Sequence, residues 1–144
     1  MFAAEGQSLI VYDGSNARKF SLPAGNTLAA AFTGTVVGFT GTYLYSYGYQ
    51  NDLGYYGPAT NNLSVGVSGQ AVVLSGFTTP LDYGISGIVI YRSTANGAAL
   101  FGLTTIAAGS SFFVDTNLPI GTITPNDNLW FTMSPKYLEI NNNR

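Results

Sequence analysis

Hydrophobic and polar residues alternate along several short segments of this chain, and a period of two is typical of a β-strand. The clearest alternation lies at residues 43–49, where tyrosine occupies every second position and Leu44, Ser46 and Gly48 stand between the tyrosines. Alternate side chains of a strand point to opposite faces of its sheet. The segment therefore predicts a strand with a ladder of tyrosines on one face.

Other apolar runs bounded by turn residues predict additional strands. The strongest covers residues 87–93, with Ile88, Ile90 and Arg92 facing opposite to Val89 and Tyr91. The others are predicted at residues 8–12, 18–22, 63–67, 70–75, 99–107, 111–115, 128–133 and 136–140. Residues 27–38 are small, apolar and interrupted by glycine, and they fit either a short helix at 28–32 or an extended crossover.

Turn residues between these runs predict hairpins and indicate the fold class. Asp-Gly at 13–14 would join the first two strands, Ser-Gly at 68–69 would join 63–67 to 70–75, and Ala-Asn-Gly at 95–97 would follow 87–93. Asn and Gly both tolerate the positive φ that tight hairpins require. Short strands separated by turns indicate an all-β, antiparallel β-sandwich. About nine or ten strands exceed the seven of one such module, and the excess lies before residue 40 and after residue 125.

Charged side chains are scarce. The chain has five Lys and Arg, seven Asp and Glu, and neither His nor Cys, so charged residues make up 8% of it. An ordinary domain carries about 25%. A surface built instead from Ser, Thr, Asn, Gly and Tyr suits a subunit whose faces are covered by neighbours in an assembly.

The same scarcity argues against several classes of function. Five cations cannot form the basic stripe that nucleic acid requires. No apolar run reaches the roughly 18 residues of a membrane span, and residues 1–5 lack the pattern of an export signal. Without histidine, no serine or threonine has its usual base, and six of the seven carboxylates lie in or beside turns. We therefore predict no enzyme, no catalytic residue and no cofactor.

Two short segments carry oxygen ligands of the kind that calcium prefers. They are residues 115–117 (Asp-Thr-Asn) and residues 126–128 (Asn-Asp-Asn). Neither segment has the number of ligands that calcium needs, and a turn in which Asp or Asn bonds its own backbone is favoured over a metal site. No metal-binding residue is predicted.

The tyrosines suggest two uses. Those of residues 43–49 are predicted to fill one side of a sandwich, and the alternative is an exposed ladder that stacks against a glycan. Tyr55 and Tyr56 are adjacent in a loop bounded by glycine, so they cannot both point into one core. Together with Tyr137 they are the predicted contacts for a partner. The amides that would accompany a glycan contact are Gln50, Asn51, Asn61 and Asn62.

Five motifs in residues 41–121 occur in a familiar order: Gly-Thr-Tyr-Leu-Tyr at 41–45, Asn-Asp-Leu-Gly at 51–54, Ala-Val-Val-Leu-Ser-Gly at 71–76, Ile-Ser-Gly-Ile-Val-Ile-Tyr-Arg-Ser at 85–93 and Ser-Phe-Phe-Val-Asp-Thr at 111–116. The span resembles the fibronectin-type-III-like or immunoglobulin-like sandwich modules of tailed-bacteriophage structural proteins. The resemblance implies that residues 87–93 supply core aliphatics and that Asp115 closes a turn. The sequence departs from the family pattern in two ways. The tyrosine-rich strand comes first, which predicts permuted strand pairing. Gly76-Phe77 stands where the family often has a tryptophan, and Trp130 lies far downstream.

The resemblance also implies a domain division and a function. We expect an N-terminal hairpin or arm at residues 1–40, a fibronectin-III-like β-sandwich at 41–122 and C-terminal closing strands or an arm at 123–144. The implied function is that of a non-enzymatic virion protein of a tailed phage, most specifically a capsid decoration or cement subunit. The alternatives are a neck or tail component, a glycan-binding adhesion module and an accessory domain of a hydrolase. The expected partners are major capsid or tail proteins and further copies of the chain in a homo-oligomer, as a trimer or ring.

Overall fold

The fold was analysed in a computed structural model that describes residues 2–5, 8–12, 17–19, 22–81 and 83–126. Within these ranges the chain forms ten β-strands and no helix, so the predicted all-β class is confirmed. None of the described segments is a helix long and apolar enough to cross a membrane. The strands are β1 (Phe2–Glu5), β2 (Ser8–Tyr12), β3 (Ala17–Lys19), β4 (Ala29–Thr33), β5 (Thr40–Asn51), β6 (Leu63–Ser68), β7 (Ala71–Ser75), β8 (Ile85–Ser93), β9 (Leu100–Ala107) and β10 (Phe112–Asp115).

Seven of the strands form two antiparallel sheets that pack together as a sandwich. One sheet has three strands in the order β10-β7-β4, and the other has four strands in the order β6-β5-β8-β9. Immunoglobulin-like sandwiches also divide seven strands into sheets of four and three. The strands β1, β2 and β3 form a separate antiparallel sheet, in which β2 and β3 pair as the predicted first hairpin.

The tyrosine strand pairs with the strongest predicted strand, and their side chains line the core. Register places Tyr45 opposite Arg92, Tyr47 opposite Ile90 and Tyr49 opposite Ile88. All three tyrosines are completely buried. The two faces predicted for residues 43–49 and 87–93 are therefore confirmed, and cross-strand pairs of this kind stabilise a sheet.

One predicted hairpin is wrong. The strand β6 pairs with β5, whereas β7 pairs with β4 and β10 in the other sheet. The turn at residues 69–70 is thus a corner between sheets, where the Gly69 N–H donates to the Phe39 carbonyl at 2.8 Å and the Val36 N–H donates to the Gly69 carbonyl at 2.9 Å. Gly69 has φ +71°, which favours glycine. A Ser-Gly turn fits a hairpin and a corner equally well, so the sequence alone could not distinguish them.

The segment at residues 27–38 contains an extended strand. Of the two structures considered for it, the helix at 28–32 is excluded because β4 pairs with β7 over Ala29–Thr33. This pairing extends the sandwich upstream of the predicted boundary at residue 41. The predicted strands at 128–133 and 136–140 lie outside the described residues.

A buried ion pair connects the two sheets. Nη1 of Arg92, on the four-stranded sheet, donates to Oδ2 of Asp115, on the three-stranded sheet, at 2.6 Å. The Tyr45 hydroxyl donates to the same carboxylate oxygen at 2.7 Å. Asp115 is completely buried and Arg92 is 5% exposed. The pair therefore joins β5, β8 and β10 inside the core.

Other groups in the core surround the guanidinium of Arg92. The rings of Phe39 and Tyr43 each have their centroid 5.3 Å from its Cζ atom, so the cation lies within range of two aromatic faces. Nη2 donates to the Leu118 carbonyl at 2.7 Å, while Nε finds no hydrogen-bond partner within the described part of the chain. A buried charge is tolerated only when its partner and hydrogen bonds are present. Removal of either charge should therefore be costly.

We predict that Asp115→Asn lowers the free energy of unfolding by about 3–5 kcal/mol, because it leaves the Arg92 cation buried without its counter-ion. Equilibrium unfolding in urea measures this loss. The double variant Arg92→Met with Asp115→Leu is the matched control, and it should lose clearly less than the sum of its two single variants because no charge then remains buried. Single variants that each cost less than about 0.5 kcal/mol would show that the pair does not hold the sheets together.

Candidate functional site

Asp115, a candidate calcium ligand, is fully engaged in structural contacts. Its Oδ1 accepts the backbone N–H groups of Asn117 and Leu118, both at 3.0 Å, and thereby closes the turn that follows β10. Its Oδ2 accepts the bonds from Arg92 and Tyr45. The turn that bonds its own backbone, which the sequence favoured over a metal site, is therefore the one observed. Of the second candidate segment, Asp127 and Asn128 lie outside the described residues.

The tyrosine ladder belongs to the core and is not a binding surface. The Tyr49 hydroxyl lies 2.9 Å from Oγ1 of Thr78, and the Tyr47 hydroxyl accepts the Asn26 backbone N–H at 2.9 Å. Burial raises the pKa of Tyr49 to about 12. Burial, and secondly the hydrogen bond to Asp115, raise the pKa of Tyr45. Tyr45 and Tyr49 therefore hold their phenolic protons more tightly in the folded state than in the unfolded chain.

The two adjacent tyrosines of the predicted contact loop differ in exposure. Tyr55 is 43% exposed, whereas Tyr56 is half-buried and forms a β-bridge with Gln50. Asn51 is buried, and its Oδ1 accepts the backbone N–H groups of Leu53 and Tyr55. That amide oxygen is therefore part of the turn. The third predicted contact, Tyr137, lies outside the described residues.

A pocket of about 310 Å³ lies beside Tyr56, on the outer side of the four-stranded sheet. Its wall includes the segment at 121–123, which is fixed to β9 by a bond from the Gly102 N–H to the Ile123 carbonyl at 2.6 Å. The lining residues are Tyr56, Val89, Gly102, Leu103, Thr104, Thr105, Gly121, Thr122 and Ile123. The pocket thus combines one aromatic ring with aliphatic groups and neutral hydroxyls.

The chain itself covers much of the outer side of the four-stranded sheet. Val89 and Tyr91 point to that side, yet they are only 4% and 0% exposed. The loop at 57–60 lies against this outer side, where the Ser46 hydroxyl donates to the Thr60 carbonyl at 2.9 Å. At Gly48 a Cβ atom would meet loop carbonyls at 3.2 Å, so glycine permits this close approach.

The three-stranded sheet has an apolar outer side that sequence reasoning missed. Val72 and Leu74 of β7 point into the core, so the register assigns the neighbouring positions to the outer side. We call these outward side chains the uncharged face: Ala29, Ala31 and Thr33 of β4, Ala71, Val73 and Ser75 of β7, and Phe112 and Val114 of β10. None of them is ionisable. Phe112 is 60% exposed and the three β4 residues are exposed, whereas Val73, Ser75 and Val114 are half-buried and Ala71 is buried.

An outer sheet side without polar alternation is unusual for a protein that remains alone in water. Antiparallel sheets commonly turn apolar residues inward and polar residues outward, and large exposed apolar patches often mark interaction sites. The apolar outer side is visible in the sequence, because residues 71–74 and 112–114 are apolar at consecutive positions and therefore on both faces of their strands. The face offers dispersion contacts and backbone edges, and its side chains include no acid or base.

No protein-family model matches this sequence, and the search of curated proteins finds no match either.

Alkaline pH should destabilise the fold through its buried phenols. The pKa of Tyr49 is raised to about 12 in the folded state, against about 10 in the unfolded chain. Its contribution to the free energy of unfolding is therefore complete below about pH 10 and is lost as the pH rises through about 12. We predict that Tyr49→Phe makes the decline in unfolding free energy above pH 10 less steep. Urea unfolding at a series of pH values measures this slope. Parallel declines in the variant and the original chain would contradict the assignment.

Proposed function

We propose that this chain is a non-enzymatic structural subunit of a tailed-phage virion, and specifically a capsid decoration or cement subunit that docks on the particle and reinforces it. The observation that carries the proposal is the uncharged face of the three-stranded sheet. Its aliphatic and aromatic side chains point to the outer side of the sandwich, with Phe112 60% exposed. Burial of such a surface against a larger protein is favourable through the hydrophobic effect.

The low charge of the whole chain supports a repeated docking role. A decoration subunit occupies many equivalent positions, so every charge on a contact surface is repeated with the symmetry of the particle. Like charges placed opposite each other are costly. A face without ionisable groups avoids this cost, and the chain has only 8% charged residues overall.

The motif resemblance supports a virion over other assemblies, and the fold is compatible with it. Ile88 and Ile90 of the strand at 87–93 are buried in the core, and Asp115 closes its turn, as the resemblance implied. A neck or tail component would use the same uncharged face on a different partner. The site of docking, head or tail, therefore distinguishes these two roles.

A virion role predicts binding to particles through the uncharged face. Phages that encode this chain would be purified without it, separated into heads and tails, and mixed with the purified protein. We expect it to co-sediment with heads, and we expect Phe112→Lys to weaken binding by about tenfold or more, because a cation would be buried at the contact. Ser64→Lys, an exposed position on β6, is the matched control and should bind like the original protein.

Circular dichroism would establish that both variants are folded. Co-sedimentation with tails alone would transfer the role to the tail. Failure of the original protein to bind either fraction, or full binding by folded Phe112→Lys, would refute docking through this face.

A glycan-binding adhesion module is the second candidate, and the observation that favours it is the pocket beside Tyr56. Its aromatic ring and threonine hydroxyls are groups that stack against and hydrogen-bond a neutral sugar. This role predicts binding on a glycan array that is lost in Tyr56→Ala and retained in Leu81→Ala, whose side chain is 81% exposed elsewhere. An array without any bound glycan would remove this candidate.

A further inference from the structure

The strand β4 forms an edge of the three-stranded sheet that other described segments leave open. It pairs with β7 on one side, and all five of its residues are exposed. Phe32 is 45% exposed although Val72, directly opposite it on β7, is completely buried. Phe32 therefore lies at the margin of the core, with part of its ring uncovered.

Among the residues that the structure describes, nothing gives this edge the usual protection against pairing with another strand. Proteins commonly protect an edge with a charged side chain, a proline, a bulge or a covering segment. The sequence of β4 is Ala-Ala-Ala-Phe-Thr, and its register with β7 is regular. The edge strand β9 differs, because backbone bonds of 2.6 and 2.7 Å attach residues 121–123 to Gly102.

We propose that β4 pairs antiparallel with β4 of a second copy of this chain, about a two-fold axis at Ala31. The two three-stranded sheets would then form one continuous six-stranded sheet. This inference goes beyond the proposed function, because it concerns a strand edge and holds whether or not the protein docks on a virion.

The side chains of β4 favour a second copy as the occupant. With Ala31 opposite Ala31 of the partner subunit, Phe32 lies opposite a partner alanine at position 30, so a large ring meets a small side chain. The same register pairs position 29 with position 33. Each of these pairs joins core-facing positions to core-facing positions and outward positions to outward positions, as the pleat of a sheet requires. No charge meets a like charge, because β4 has none.

Backbone geometry also favours this arrangement over a head-to-tail ring through the sheet. Both β4 and β10 are antiparallel to β7, so they run parallel to each other. Pairing the β10 edge of one copy with the β4 edge of the next, in one continuous sheet, would form a parallel ladder, which is slightly less stable per residue than an antiparallel one. Self-pairing of β4 is isologous and closes after two copies.

The test uses the purified full chain and its molar mass in light scattering. We expect a mass of twice 15.2 kDa for the original protein. Ala31→Lys and Ala31→Glu should each fall to the monomer mass, because two like charges then meet at the axis, whereas their equimolar mixture should regain the dimer mass through opposite charges. Ser64→Lys, on the edge strand β6, should remain dimeric.

A second measurement locates the axis directly. The chain contains no cysteine, and directly opposite Cβ atoms in an antiparallel pair lie about 4.5–5.5 Å apart. Ala31→Cys should therefore form a covalent dimer under mild oxidation, while Ser64→Cys should not. A monomeric original protein, folded Ala31→Lys that stays dimeric, or the absence of the Ala31→Cys cross-link would overturn the proposal. Phe112→Lys, on the opposite edge strand β10, should keep the dimer mass, so dimerisation and particle docking are tested by different variants.

Discussion

The ion pair between Arg92 and Asp115 is the interaction on which the sandwich depends, because it joins the two sheets inside the core, where both residues are buried. Each charge requires the other, and both require hydrogen bonds from their surroundings. Tyr45 and the turn amides after β10 donate hydrogen bonds to the carboxylate. The guanidinium donates to the Leu118 carbonyl and lies within cation–π distance of two aromatic rings. One constraint thus specifies how β5, β8 and β10 come together.

The pair also accounts for part of the tyrosine pattern. Tyr45 lies opposite Arg92 and donates to Asp115, whereas Tyr49 lies in a second cluster with Thr78. A ladder of phenols fills a sandwich with large apolar rings and still gives its hydroxyls partners inside the core. The hydroxyls of Tyr45 and Tyr49 thus find Asp115 and Thr78 as partners, while the rings fill the core of a chain with few charges.

The two sheets differ in how their outer sides are covered, and this difference leads from the fold to the function. Loop 57–60 and segment 121–123 pack on the four-stranded sheet. The uncharged face of the three-stranded sheet has Phe112 exposed instead. An apolar outer side on a sandwich that already has its own core is typical of a protein that buries this surface against another protein. The open β4 edge belongs to the same sheet, so this part of the molecule is where both proposed contacts lie.

Local periodicity was sufficient to predict most strands but not their partners. Alternation at 43–49 and 87–93 gave the correct faces, and the turn at 95–97 joins β8 to β9 with Asn96 at φ +58°. The corner at 69–70 was misassigned because sheet membership depends on contacts distant in sequence. For the same reason, spacing could not identify the pairing of Arg92 with Asp115. The strand β4 has no alternation to detect, because its sequence is Ala-Ala-Ala-Phe-Thr.

The candidate site was predicted only in part. Exposure of Tyr55 agrees with the argument that two adjacent tyrosines cannot share one core. The uncharged face was missed because consecutive apolar residues at 71–74 and 112–114 are also what a fully buried strand contains. Only the arrangement of the sheets shows which of these side chains point outward.

Hydroxyl-radical footprinting of the protein, free and bound to purified particles, tests the central claim most directly. Phe112, Leu53 and Leu81 are 60%, 62% and 81% exposed, so all three should be labelled in the free protein. Docking through the uncharged face predicts that labelling of Phe112 falls several-fold on the particle while Leu53 and Leu81 remain labelled. Unchanged labelling of Phe112 on particles that carry the protein would contradict the account.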